Sequence, residues 1–397
     1  MTPIRTPRRS PAAIAILLAG ILLIGANLRG PFTSVAPLLD ILRATFSLTR
    51  AQAGMLTTLP LLTFAIVSPF SARLARAYGL ERALMASLIL IAGGIAIRSA
   101  GAVWPLYLGT LLLGVGIAVG NVLLPSLVKR DFPNNIATLT AAYVVAMGVA
   151  AAIASALVVP LERLPTMGWR SSLGAAIILP LATILLWLPQ VRSDTKPGPG
   201  AVAPGHGGHV WRSALAWQVT AFMGLNSVIY YVIIAWLPAI LADHGYSAGR
   251  AGTIHGVLQL AGALAGLFIG VVVKRSRSQR TPAALAALLT TLAFAGLLIR
   301  PEAALWWMIC FGTASGMGII LSLIFFGLRT HTPEDAATLS GMAQSVGYLL
   351  AAVGPPVAGL LHDGFGGWRV PLLVCLGLSL LMLVAGILAG RPLRIGR

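Results

Sequence analysis

Gly168-Trp169-Arg170 returns 199 residues later as Gly367-Trp368-Arg369. The same offset carries Asn27 onto Asn226 and Gly148 onto Gly347, and one residue more carries Ser47-Leu48-Thr49-Arg50-Ala51 onto Ser247-Ala248-Gly249-Arg250-Ala251. Coincidences this close to one register mark a chain built from two like halves in parallel repeat.

The repeated unit is a set of apolar helices. Of 397 residues, 57% are hydrophobic and only 10% charged, a balance that no soluble domain of this length carries. A helix needs roughly 20 mostly apolar residues to cross about 30 Å of hydrocarbon. Walking between charge clusters gives twelve such stretches, near 12–39, 51–70, 83–101, 104–128, 137–160, 170–189, 213–241, 249–273, 281–299, 303–328, 338–361 and 370–390. The expected fold is therefore all-α, a polytopic membrane protein with twelve transmembrane helices in two six-helix bundles. The bundles are expected at 1–190 and 213–397. The linker between them, 191–212, contains Lys196-Pro197-Gly198-Pro199-Gly200 and His206-Gly207-Gly208-His209, a low-complexity run that forms no core.

A net charge of +18 suggests nucleic acid only until its distribution is read. With the amino terminus inside, 19 of the Lys and Arg residues fall on the inner side and 8 on or near the outer, Arg98 among the latter, while the ten acids divide evenly. By the positive-inside rule both termini are cytoplasmic, in a multi-pass protein of the bacterial inner membrane. The first apolar run is too long for a signal-peptide core and is expected to stay as helix one. Cys310 and Cys375 both lie in predicted spans and imply neither a disulfide framework nor a thiolate metal site.

Inside the first span stands Arg29, and no Asp or Glu occurs in any apolar stretch to neutralise it. A charge there costs roughly 2.5 to 3.5 kcal/mol on insertion scales, so it is expected to face a polar cavity and to meet an anionic or electron-rich solute. Pro31 and Pro125 each follow an asparagine by four residues. Proline has no N–H, so the carbonyls of Asn27 and Asn121 lose their helical partners and become free acceptors beside a side-chain amide. Thr33 shares a helical face with Arg29. In span seven Asn226 and Tyr230 are one turn apart, as are His255 and Gln259 in span eight. His255 is the other ionisable side chain well inside a span and a candidate proton carrier. Tyr231, and Gln344, Ser345 and Tyr348 of span eleven, are weaker candidates, because such residues often pack or join helices.

These residues resemble the major facilitator superfamily. Its signature between spans two and three, Gly-x-Leu-x-Asp-Arg-x-Gly-Arg-Arg, is similar to Ala72-Arg73-Leu74-Ala75-Arg76-Ala77-Tyr78-Gly79-Leu80-Glu81-Arg82. Here Arg76 stands at the Asp position and Glu81 at a basic one, so a gate-locking ion pair survives only with reversed polarity. Together with Asn27-Leu28-Arg29-Gly30-Pro31, Gly120-Asn121-Val122-Leu123-Leu124-Pro125 and Ala235-Trp236-Leu237-Pro238, the pattern resembles the cyanate and 2-nitroimidazole transporter branch over nearly the whole chain. The resemblance implies a site between the halves near mid-membrane, with Arg29, Asn27, Thr33, Asn121, Asn226, Tyr230, His255 and Gln259 as binding residues and Arg76, Glu81 and Arg82 as gating residues.

The implied function is secondary active transport of a small anion or compact polar molecule, cyanate-like or nitroimidazole-like, by alternating access. Protons or a counter-anion are the coupling species to consider. A proton-coupled multidrug or metabolite exporter is the alternative. It is weakened because Thr110, rather than Arg, precedes Gly114-Val115-Gly116 and because span five lacks a Gly-Pro pair. A channel or receptor is disfavoured by the repeat with proline-broken helices and by the lack of a signalling domain. The chain carries no His-Glu-x-x-His, phosphate-binding loop or cysteine pair at metal spacing, so no enzyme, metal or cofactor is expected. The expected partners are a small solute and the lipid bilayer, without nucleic acid, and the expected state is a monomer.

Overall fold

A computed structural model describes residues 11–191, 208–276 and 278–396. The Pro-Gly run of the expected linker lies outside them. Among the described residues twelve helices are long and apolar enough to cross a membrane. In chain order the main helices of these spans are α1 (Pro11–Asn27), α2 (Arg50–Tyr78), α3 (Leu80–Arg98), α4 (Val103–Asp131), α5 (Ile136–Glu162), α6 (Ile178–Val191), α7 (Ala214–Asp243), α8 (Ala248–Arg275), α9 (Arg280–Ile299), α10 (Ala304–Leu328), α11 (Pro333–Phe365) and α12 (Arg369–Ala389), the first span running on through short helical segments to Leu38 and the sixth beginning at Gly168. Short helices at Gly30–Thr33, Leu39–Phe46, Gly168–Ala175 and Gly208–Arg212 join them.

Local chemistry sets several of the helix starts. Thr49 and Gln52 form a reciprocal capping box at the start of α2, while Ser213, Ser247 and Thr332 cap α7, α8 and α11, satisfying amides that a helix end leaves open. The repeat slips here. Ser247 caps its helix, whereas Ser47 is the left-handed residue that ends Leu39–Phe46, and Thr49, two residues on, takes the cap. Both Gly-Trp-Arg copies mark the same kind of corner. Gly168 adopts a left-handed φ of 60°, as does Gly366, one residue before the second copy, at 72°, and the tryptophan of each copy is packed against an aromatic partner, Trp169 on Phe46 and Trp368 on Trp236.

Glycine lets helices inside one half approach closely. A Cβ on Gly94 would lie 2.6 Å from the Leu113 amide nitrogen, and one on Gly109 would strike the backbone of Arg98, which presses α3 onto α4. Gly312 and Gly316 do the same for α10 against α8. Large side chains such as Ile66, Leu185, Phe268 and Leu360 point outward and are well exposed, an arrangement suited to lipid rather than water.

Between the halves, α11 packs along α2 and α4, and α8 along α5. The contact is tight only at the end that carries both described termini. There a Cβ on Gly341 would sit 2.7 Å from the Ser68 carbonyl, and one on Gly270 would sit 2.7 Å from Ala141.

Candidate functional site

Helix α1 stops where its hydrogen bonding must stop. Pro31 offers no N–H to Asn27, the regular helix ends at that residue, and Arg29 becomes the N-cap of the turn Gly30–Thr33 with φ −131°. Hydroxyls repair the interrupted backbone: Thr33 donates to the carbonyls of Arg29, Gly30 and Ala151, and Ser34 donates to that of Pro31 at 2.9 Å. Within an apolar medium such repair is obligatory. Thr33 therefore braces the break against α5, its hydroxyl already spent on three carbonyls.

The break turns the half-buried Arg29 toward the other half of the molecule. Its guanidinium lies beside Tyr230, Tyr231 and Tyr348. Tyr230 in turn donates its hydroxyl proton to Gln259 Oε1 at 2.7 Å, which leaves the phenol oxygen's lone pairs for the guanidinium. Below them lies an aromatic layer: Tyr348 meets Phe64 edge-on at 5.0 Å, and Phe64 meets Phe32 at 6.3 Å. Phe64, Tyr230 and Tyr348 each sit near the midpoint of their helices, so the cluster is at mid-membrane. Among the described residues Arg29 has no carboxylate partner. The phenols supply partial negative character and π faces without cancelling its charge, an arrangement able to accept a compact anion or a flat electron-rich ring.

The expected residues divide in two. Arg29, Tyr230 and Gln259 come together across the halves, with Tyr230 bonded to Gln259 and the Arg29 guanidinium beside the phenol. Asn27 does not join them: it is fully buried and donates to Thr183 Oγ1 and the Leu23 carbonyl, both at 2.8 Å, tying α1 to α6. Asn226 is likewise buried, with its amide donating to the Ser315 carbonyl at 3.4 Å and packed against Gly318 of α10. In each case an amide in an apolar bundle has taken a partner within its own half. Asn121 is half-buried on α4, one residue after Gly120, which packs on Leu28.

His255 has a backbone task. Pro238 frees the carbonyl of Ile234 in α7, and the His255 imidazole, reaching from α8, stands beside that carbonyl. Its Nε2 is buried with no partner.

The closed end is built from both halves. Lys129 of α4 donates to the carbonyls of Gly327 and Thr330 at 2.6 and 2.7 Å and Ser126 donates to the Pro333 carbonyl, while nearer mid-membrane, beside Phe64 and Tyr348, Ser345 donates to the Ala65 carbonyl at 2.6 Å. Glu81, buried, pairs with Arg130 at 2.7 Å, and Arg130 pairs with Asp131 at 2.9 Å. Glu81 thus binds α3 to α4 inside one half. Arg76 instead borders a small cleft with Ser126, Arg130, Ala337 and Glu334, so that its acidic neighbour, Glu334, belongs to the other half. Arg82 is exposed. Just outside α10, Arg329 holds the Ala389 carbonyl and Gln279; burial, with Arg394 nearby, lowers its pKa to about 10.

Of the aromatic neighbours of Arg29, Tyr230 is an expected binding residue, whereas Tyr348 is a weaker sequence candidate. Tyr348 had been grouped with helix-joining residues, and Phe64 and Phe32 carry no polar mark; only their mid-span position could have singled them out. Lys129, one of the cations counted on the inner side, is turned onto the other half, and Arg98, counted near the outer side, is enclosed by protein at the end of α3.

A model of the Major Facilitator Superfamily matches residues 17–355. The 2-nitroimidazole transporter of Escherichia coli (strain K12) is 52% identical over 376 residues, which cover 95% of each chain. The cyanate transport protein CynX of the same strain is 29% identical over 92% of this chain and 96% of its own. Among solved structures, the proton:xylose symporter XylE bound to 6-bromo-6-deoxy-D-glucose superposes with a TM-score of 0.77 at 12% identity, over 93% of this chain and 94% of that one.

Proposed function

Since the chain belongs to the Major Facilitator Superfamily, and is a multi-pass membrane transporter rather than an enzyme, we propose that it carries a small anion or a compact planar polar solute by alternating access. The cargo binds between the halves, with Arg29 as the charge that receives it and Tyr230 and Gln259 as the groups that orient it. The named activities of the two relatives, toward 2-nitroimidazole and cyanate, agree with a flat, electron-rich cargo of that size.

The observation that carries this reading is the half-buried Arg29 at the centre of the molecule, beside three tyrosines and without a carboxylate. In this reading both termini lie in the cytoplasm of a bacterial cell, as the distribution of Lys and Arg supports, so the sealed end with Lys129 is the cytoplasmic gate and the cavity opens outward. Asn27, Thr33 and Asn226 hold the walls of the cavity, and Asn121 borders it. Arg76 and Glu334 face each other across the gate, with Arg130 and Glu81 keeping the α3 end rigid.

Uptake of radiolabelled 2-nitroimidazole and of cyanate into proteoliposomes, with pH and voltage set independently, tests the proposal. Arg29→Ala is expected to abolish saturable uptake with folding intact, and full transport by a well-folded variant would reject the role of Arg29. Proton coupling is favoured over anion exchange by the unpartnered buried Nε2 of His255, one turn from Gln259 on the same helix face. A pH-independent flux that follows voltage alone excludes it.

A further inference from the structure

Arg98 is a second guanidinium buried within the protein, at the end of α3 away from the described termini. It ends α3, is completely buried, and donates through one terminal nitrogen to the Pro31 carbonyl at 2.8 Å and through the other to Ser34 Oγ at 3.2 Å. Its Nε has no partner, and among the described residues no carboxylate reaches it. The absence of a side chain on Gly109 makes room for it.

Holding one carbonyl and one hydroxyl does not require a charge. A neutral amide would donate the same kind of bonds without the several kcal/mol needed to desolvate an ion. Yet the chain keeps a cation here, bonded to the residue two places beyond Arg29, on the turn that Arg29 caps. In a medium of low dielectric, the field of an unpaired charge is only weakly screened.

We propose that Arg98 is a specificity-determining residue: a fixed positive charge behind the wall of the cavity that, without touching the cargo, adds to the potential of Arg29 and selects for anions. The inference rests on the reading of that cavity as the cargo site. Its anchoring bonds to Pro31 and Ser34 hold the charge in place, and the missing counter-ion leaves its field free to reach the cavity.

The test reads the potential directly. In a background with Cys310 and Cys375 replaced, Gln259→Cys puts a thiol in the cavity. Its rates of modification by an anionic sulfonatoethyl and a cationic trimethylammonioethyl methanethiosulfonate are then compared. Removing one unit of charge through a weakly screened path should lower the anion-to-cation rate ratio about threefold or more.

Arg98→Gln is expected to do so, and Arg98→Lys to stay close to the parent. Ser34→Asp should lower the ratio as Arg98→Gln does, because it keeps Arg98 anchored while giving it a counter-charge. If Arg98→Gln fails to fold, Ser34→Asp decides alone. An unchanged ratio in the variants that lose or neutralise the charge overturns the proposal, as does a fall in Arg98→Lys equal to that in Arg98→Gln. The ratio needs no cargo, so failure of the transport reading shows separately, as parent protein without saturable uptake.

Discussion

Lys129 of α4 places its ammonium at the carbonyl end of α10, 2.6 Å from the Gly327 oxygen. The carbonyls of a last helical turn lack partners within the helix and carry its negative dipole end, so a cation from the opposite half completes that helix only while the halves are closed. Rocking apart would strand both the ammonium and two carbonyls.

Loss of this contact should therefore favour the state open at the termini-bearing end. Hydrogen bonds to a charged group contribute about 1.5 to 3 kcal/mol each, so Lys129→Met is expected to shift the gate equilibrium by roughly tenfold or more. A thiol introduced by Ala337→Cys, at the lining of the gate cleft, should react correspondingly faster with a reagent supplied from that side. Unchanged reactivity would mean that the neighbouring Ser126 and Ser345 bonds hold the gate unaided.

Tyr230 links two groups that the sequence could only place separately. Its hydroxyl gives a proton to Gln259 and meets Arg29, so Tyr230→Phe cuts the chain between α1 and α8 while keeping the ring. We expect KM for the transported solute to rise about three- to tenfold, in line with the roughly 1 kcal/mol of an ordinary hydrogen bond, with little change in thermal stability. Tyr231→Phe, whose hydroxyl makes no bond to Arg29 in this arrangement, should change KM far less.

The helices were legible because hydrocarbon allows few alternatives. A run of apolar residues bounded by charge has to satisfy its own backbone, and the twelve predicted runs correspond to the twelve observed spans. The break in α1 was legible for the same reason, since Pro31 dictates which carbonyl is orphaned. The side-chain partners were not. Whether an amide such as Asn27 serves a cavity or Thr183 depends on which helix lies opposite, and that is fixed by close glycine contacts such as Gly109 on Arg98. These contacts bring together residues distant in the chain, and residue spacing alone carries no record of them. The same applies to Glu81: the sequence signature placed it near Arg76, whereas the fold brings Arg130 within 2.7 Å.

Gly93 and Gly94 are neighbours with opposite roles. A Cβ on Gly93 meets nothing within 4 Å, whereas one on Gly94 would lie 2.6 Å from the Leu113 nitrogen and 2.7 Å from the Gly109 oxygen. Gly93→Ala should be neutral or raise Tm, since alanine is favoured in a helix by up to about 1 kcal/mol. Gly94→Ala must push α3 from α4 and should lower Tm and the yield of folded protein, because backbone cannot yield as a flexible side chain would. Thermal unfolding in detergent compares the two, and equal Tm values would refute the close packing of α3 on α4.

His255 and Pro238 form a pair whose coupling has a predictable sign. The imidazole stands beside the Ile234 carbonyl that Pro238 leaves without a helical donor, so His255→Ala is expected to leave that acceptor unmet, at a cost of about 1 to 3 kcal/mol. Pro238→Ala restores an N–H to the helix and gives that carbonyl a partner within α7. In the Pro238→Ala background the loss of His255 should then cost much less, and a double-mutant cycle on Tm or unfolding free energy should return a coupling near the full cost of the first change. Additive effects would show that the imidazole contributes to stability through something other than the freed carbonyl. The same cycle read on transport separates its two roles: if proton coupling is lost with His255 in both backgrounds while stability is rescued in one, the imidazole carries a proton as well as capping the helix.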